Sequence, residues 1–118
     1  MKTYLTQNFT FEELRCPCCH EMEIDEDFLD TLQDMRDELG QPCIVTSGFR
    51  CEEHNRDVGG ALRSQHMSGL AIDIHCIDAR FRYDLIKAAM FAGFTGIIAN
   101  DDYLHLDLRE DDPLFLLY

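Results

Sequence analysis

His66, Asp73, Asp102 and His105 are the residues of this chain whose types and spacing could do chemistry. His66 lies in SQHMSG and Asp73 seven positions later in LAIDIH. His105 follows in YLHLDLR, with Asp102 three positions before it. Two imidazoles and one carboxylate form a ligand set for an open zinc site that leaves the fourth position to water. Zinc in such a site polarises a carbonyl and lowers the pKa of its water toward ~7. A carboxylate within hydrogen-bond reach, here Asp102, is then placed to act as general base. The chemistry is hydrolysis, and the pattern reads as a metallopeptidase.

The elements that must position these residues are two strands and a loop. LAIDIH alternates, with Leu70, Ile72 and Ile74 on one face and Ala71, Asp73 and His75 on the other. YLHLDLR alternates too, with Leu104, Leu106 and Leu108 apolar and Tyr103, His105, Asp107 and Arg109 opposite. Side by side in an antiparallel sheet, the two polar faces converge. His66 arrives from the loop, where Gly69 suits a tight turn into the strand.

SGFRCEEHNRDVGGALRSQHMSGLAIDI, followed by LHLD, resembles the zinc D-Ala-D-Ala carboxypeptidases and the related phage cell-wall peptidases. Their pattern runs SGYR, HN, VGGA, SxHxxGxAxDI and later HxD, and the resemblance extends back to NFTFEEL. It implies His66, Asp73 and His105 as metal ligands, Zn2+ as cofactor and Asp102 as catalytic acid/base. It further implies that Arg50 binds substrate or the oxyanion, where a fixed guanidinium is worth most, and that Ser64 lies beside the bound peptide. Phe49 stands where the pattern has Tyr, so no hydroxyl is offered there. Asp107 either orients a ligand or is a plain surface carboxylate. His75 shares the face of Asp73 and is a substitute ligand or substrate contact, whereas His54 fixes the HN turn.

The coarse organisation is α+β: a small antiparallel sheet with helices packed on one side, which the resemblance makes a Hedgehog/DD-peptidase-like fold. Thr10 and Glu13 form a capping box opening a short helix with Phe11 and Leu14 inward. Residues 25–39 are amphipathic through Phe28, Leu32, Met35 and Leu39 and stop at Gly40. CIVTS (43–47) is a strand, with Gly48 at the turn before Arg50, and CEEHNRDV is a short helix leading into Gly59 and Gly60. Asp78 caps a helix through Phe81, Leu85, Ile86, Ala89 and Met90, ended by Gly93. TGIIA and YLHLDL form a hairpin across Asn100–Asp102. The apolar tail PLFLLY folds back on the body.

With 118 residues the chain is expected to be one domain, 1–118, and a monomer. No apolar run of ~20 residues is present, so no membrane span is expected. MKTYLTQNFTFEELR lacks the apolar run of a signal peptide. The expectation is synthesis in the cytoplasm and action on the cell wall after release, as a phage or prophage product. Ten basic against 23 acidic residues give a net charge of −13, which argues against nucleic acid as partner. Acidic runs such as EMEIDEDFLD and REDD read as solvated surface.

Six cysteines remain. CPCCH at 16–20 has metal-like spacing, and three readings stay open for Cys16, Cys18, Cys19 and Cys51. They hold a second, structural zinc together with Cys51 or His20, they form a disulfide after release, or they are buried or idle thiols. The function expected from all this is zinc-dependent hydrolysis of a peptide bond in peptidoglycan stem peptides, by a D-Ala-D-Ala carboxypeptidase or an endolysin-type endopeptidase. The competing class is a non-catalytic zinc-binding module of the same fold, against which Asp102 and Arg50 both speak. A third is a Cys-rich interaction domain centred on CPCCH.

Overall fold

The computed structural model describes residues 2–61, 64–110 and 113–117. Asp111 and Asp112 of the expected acidic tail, Tyr118, Met1, and Leu62 and Arg63 within the motif-bearing segment lie outside the described residues. The chain runs α1 (Phe11–Leu14), α2 (Glu26–Leu39), β1 (Val45–Ser47), α3 (Glu52–Asp57), β2 (Ala71–His75), α4 (Ala79–Ala92), β3 (Gly96–Ala99), β4 (Tyr103–Asp107) and β5 (Leu114–Leu117). The fold is α+β.

Local signals set most boundaries. The Thr10–Glu13 capping box is formed in both directions, and Leu14 is buried. Asp25 accepts from the backbone of Asp27 and Phe28 to start α2, and Gly40 ends it in the left-handed conformation. Asp78 and Gly93 do the same for α4. Two details differ from expectation. Met90 is 56 % exposed on the outer side of α4, and Ala88 takes the inward place beside Ala89. The strand within CIVTS starts only at Val45, because the pairing with β2 shifts register between Val45 and Ser47 and leaves Ile44 exposed.

The sheet order is β1-β2-β4-β3-β5. All neighbours are antiparallel except β3 and β5, so the expected antiparallel sheet is a mixed one. The reason is topological. Both edges of β4 are already paired, so the tail reverses and takes the free edge of β3, where Leu117 is 75 % exposed. The β2–β4 register sets Ile72 against Leu106, Ile74 against Leu104 and, on the other face, Asp73 against His105. The apolar face packs under α2 and α4, with Phe28, Leu32, Met35, Leu85 and Ala89 joining Ile72, Ile74, Leu104 and Leu106 in one buried core. The opposite face carries the polar residues. Gly69 turns the chain into β2 at φ +71°, and a Cβ there would lie 1.8 Å from the Glu23 carbonyl oxygen, so only glycine fits.

Phe28 is fully buried and meets the Phe94 ring edge-on at 5.7 Å between centroids. Phe28→Ala is expected to cost about 3–5 kcal/mol of stability, read from the midpoint of denaturant unfolding. A loss under 1 kcal/mol would mean that α2 does not anchor the sheet.

Candidate metal centre

Three ligand atoms converge on the polar face of the sheet. One atom each from His66, Asp73 and His105 lies within 4.8 Å of the others, the geometry of a group that could hold a metal ion. Asp73 Oδ1 is the meeting point, 3.1 Å from His66 Nε2 and 3.0 Å from His105 Nδ1. The expected polar face therefore exists, but it is not solvated: His66 is 2 % exposed and Asp73 5 %.

Each of the three is held from behind. His66 Nδ1 is 2.8 Å from the Gly48 carbonyl, which fixes it as the donor and turns Nε2 inward. His105 Nε2 is 2.7 Å from Asp107 Oδ2, so Nδ1 is the inward nitrogen. The second oxygen of Asp73 accepts from the Arg50 guanidinium at 3.0 Å. Arg50 in turn donates to Ser47 Oγ at 3.0 Å and to Asn55 Oδ1 at 3.3 Å. Asp107 is wholly buried and accepts from Arg109 through both oxygens. Its burial depends on Gly96 of β3, whose added Cβ would lie 2.0 Å from Asp107 Oδ1.

This row of alternating charges sets the protonation states. Burial opposes the charge of Asp73, but hydrogen bonds from His105 and His66 outweigh it and hold the carboxyl down to about 2. Asp107 is likewise held at about 2, against burial, by Arg109 and His105. Burial also disfavours the charged imidazole of His105, yet its bonds to Asp107 and Asp73 raise it to about 8. In the metal-free protein both His105 ring N–H groups thus donate at neutral pH, one to each carboxylate.

The site opens into a cavity of about 560 Å³ lined by Arg50, Ser64, Gln65, Asn100, Tyr103 and Arg109 among others. Ser64 reaches it while its Oγ accepts from the His66 backbone at 3.1 Å. Asp102 is not brought to the three. It lies exposed in the β3–β4 turn, one residue before Tyr103, with its carbonyl accepting from Cys76 N–H at 2.9 Å. His75 is exposed and borders a different cleft, beside Cys76 and Phe81. His54 caps nothing in the site; its N–H points to Cys51 Sγ at 3.4 Å. Phe49 is buried, its N–H donating to Leu14 at 2.8 Å. Cys16, Cys19 and Cys51 converge elsewhere, as a second group within 4.8 Å.

Sequence reasoning did not single out Asn55, which is 3 % exposed and links Arg50 to the Ala61 carbonyl at 2.8 Å. Its only signal was its place in the HN motif. Ser47 had only its place in the SGFR motif, and the Gly48 carbonyl had no signal, because backbone acceptors leave no trace in residue types.

The peptidase M15 family profile matches residues 7–107, so the chain belongs to the peptidase M15 family. A curated relative, the zinc D-Ala-D-Ala carboxypeptidase of Streptomyces albus G, is 38 % identical over 81 residues. That match covers 64 % of this chain and 31 % of the relative, so the chain spans about a third of that protein's length.

Two outcomes follow from the row of charges. A divalent metal must displace the His105 Nδ1 proton, so affinity at this site should climb between pH 6.5 and about 8 and level off above. The metal-free protein should behave oppositely: a raised imidazole pKa stabilises it below 6.5, and that stability is lost as pH rises through about 8. Metal titrations and thermal melts across this range check both. Asp107→Asn should weaken metal binding roughly 10–100-fold, and unchanged affinity would deny Asp107 any part in orienting His105.

Proposed function

We propose that this chain is a zinc-dependent peptidase that hydrolyses a peptide bond in peptidoglycan stem peptides, as a D-Ala-D-Ala-type carboxypeptidase or an endopeptidase. The observation that carries the reading is the convergence of two imidazole nitrogens and one carboxylate oxygen at an open cavity, each locked from behind. The donor set fits zinc, which favours His and carboxylate ligands in catalytic sites and keeps a position free. Held by His66, Asp73 and His105, zinc would supply Lewis acidity toward a carbonyl and a water of lowered pKa.

The rest is work for the chain's own residues. Arg50 faces the cavity from a rigid seat, and its side chain is only 14 % exposed. A guanidinium held by three acceptors loses little freedom on meeting the negative charge that develops on a substrate oxygen. Ser64, Gln65, Asn100 and Tyr103 offer hydrogen-bonding groups along the cavity, suited to a peptide backbone. Asp102 is the proposed proton carrier. Its backbone is pinned by the Cys76 N–H one residue before the cavity-lining Tyr103, and its exposed carboxylate is the part free to turn toward a bound substrate. The carboxylate takes a proton from water and returns it to the leaving amine. Such a substrate places the action at the cell wall. No helix among the described residues is long and apolar enough to cross a membrane.

Digestion of purified muropeptides, followed by mass spectrometry with and without chelator, identifies the bond cleaved. Cleavage should stop with chelator and return with zinc. His105→Ala should lose the metal and the activity together. Asp102→Ala should keep the metal and lose roughly 10²–10⁴-fold in turnover. A variant at Asp102 with wild-type turnover would remove it from the mechanism. A protein that binds zinc yet cleaves no muropeptide would instead be the non-catalytic module.

A further inference from the structure

Three sulfurs converge where the loop after α1 meets the segment between β1 and α3. The Cys16 thiol donates to Cys51 Sγ at 3.6 Å, and Cys19 completes a group of three within 4.8 Å. Cys18 is exposed and lies next to Cys19 in the chain, close enough to Cys51 for the two thiols to interact electrostatically. The His54 N–H points to Cys51 Sγ at 3.4 Å. The CPCCH loop is closed by His20 N–H to the Cys16 carbonyl and Cys16 N–H to the Glu21 carbonyl, both at 2.8 Å. His20 reverses the chain there at φ +63°, the one non-glycine residue with positive φ among the described residues.

A disulfide would use two of these sulfurs and leave the rest of the cluster without a role. Thiolates at C-x-x-C spacing with partners from a distant loop are instead the donor set of a closed structural zinc site. We propose that Cys16, Cys18, Cys19 and Cys51 form a structural tetrathiolate site for a divalent metal ion, zinc by chemical preference, separate from the His66–Asp73–His105 site. Its effect on the rest of the molecule is direct. Cys51 follows Arg50 and caps α3, so a metal there ties the loop after α1 to the segment that carries Arg50 and the Gly48 carbonyl.

The test uses the whole protein purified under reducing conditions. Wild type should carry two zinc ions per chain, and His105→Ala, which leaves the thiols intact, should carry one. Replacing zinc by cobalt in His105→Ala should give the intense thiolate-to-cobalt charge-transfer absorption of a tetrahedral sulfur site. Cys51→Ser in that background should abolish the band, and Cys18→Ser, at an exposed position, should reduce it. Cys43→Ser, remote from the cluster, should leave it unchanged. The proposal is overturned if cobalt-loaded His105→Ala shows no such band. It is equally overturned if peptide mapping finds a disulfide among the four cysteines in protein that has never met oxidant. Because the cobalt spectrum is read on protein with all its cysteines, it holds even where a cysteine variant fails to fold.

Discussion

The polar face of the sheet depends on one buried row of charges: Arg50, Asp73, His105, Asp107 and Arg109, each in contact with a neighbour of opposite sign, with His66 completing the coordination of Asp73. Burying a single ion costs several kcal/mol, and an unpartnered one would break the fold. The row avoids this only because every member is paired, and no buried side-chain polar atom among the described residues lacks a partner. Pairing in turn requires register. Asp73 faces His105 and Ala71 faces Asp107 because Ile72 and Leu106 are locked into the core on the other side. A slip of one residue in either strand would move that strand's carboxylate into the apolar layer. The hydrophobic core therefore does more than stabilise the sheet; it indexes the site.

The row is anchored at one end from outside the sheet. Ser47 ends β1 and Gly48 and Arg50 lie just past it, on a segment whose course is fixed by Phe49 N–H on the Leu14 carbonyl. That contact joins the short helix α1 to the site: the capping box at Thr10 holds α1, α1 holds the segment, and the segment orients His66 and Arg50. The thiol cluster grips the same segment one residue further on, at Cys51. Two sets of metal-type side chains thus meet at a loop with little regular structure of its own. Such a loop has few backbone hydrogen bonds to hold it, so external ties set its position.

Much of this was legible in the residues. Alternation in LAIDIH and YLHLDLR gave the two strands and which residues share each face, because successive side chains point to opposite sides. The register that pairs Asp73 with His105 is instead a property of the folded sheet. Caps gave the ends of α2 and α4. What escaped has physical causes. The polar strand face is buried at Ala71, Asp73 and Asp107, and alternation cannot distinguish solvent from a buried charge row. Asn55 acts through tertiary contacts to Arg50 and Ala61, which no local pattern encodes. The parallel pairing of β5 followed from which sheet edge was free, a property of the completed fold. The alternation also says nothing about Asp102, which falls in the turn where the period of two ends.

Charge bookkeeping finally explains how a chain of net charge −13 can present a site for negative charge. Within the row, two guanidiniums balance two carboxylates, so the fixed protein charges at the proposed site sum to nothing. A dication bound by neutral imidazoles would then keep its full charge toward the cavity, undiminished by surplus carboxylate ligands. Had Asp73 and Asp107 lacked Arg50 and Arg109, the same ion would be neutralised by its own surroundings and would polarise a carbonyl weakly. By occupying carboxylate oxygens, the arginines would leave such an ion less neutralised by its surroundings. The acidic surface is then a separate property, spread over exposed positions such as Glu38 and Glu53. At physiological ionic strength it is screened over roughly 8 Å, so the local balance in the cavity governs what binds there.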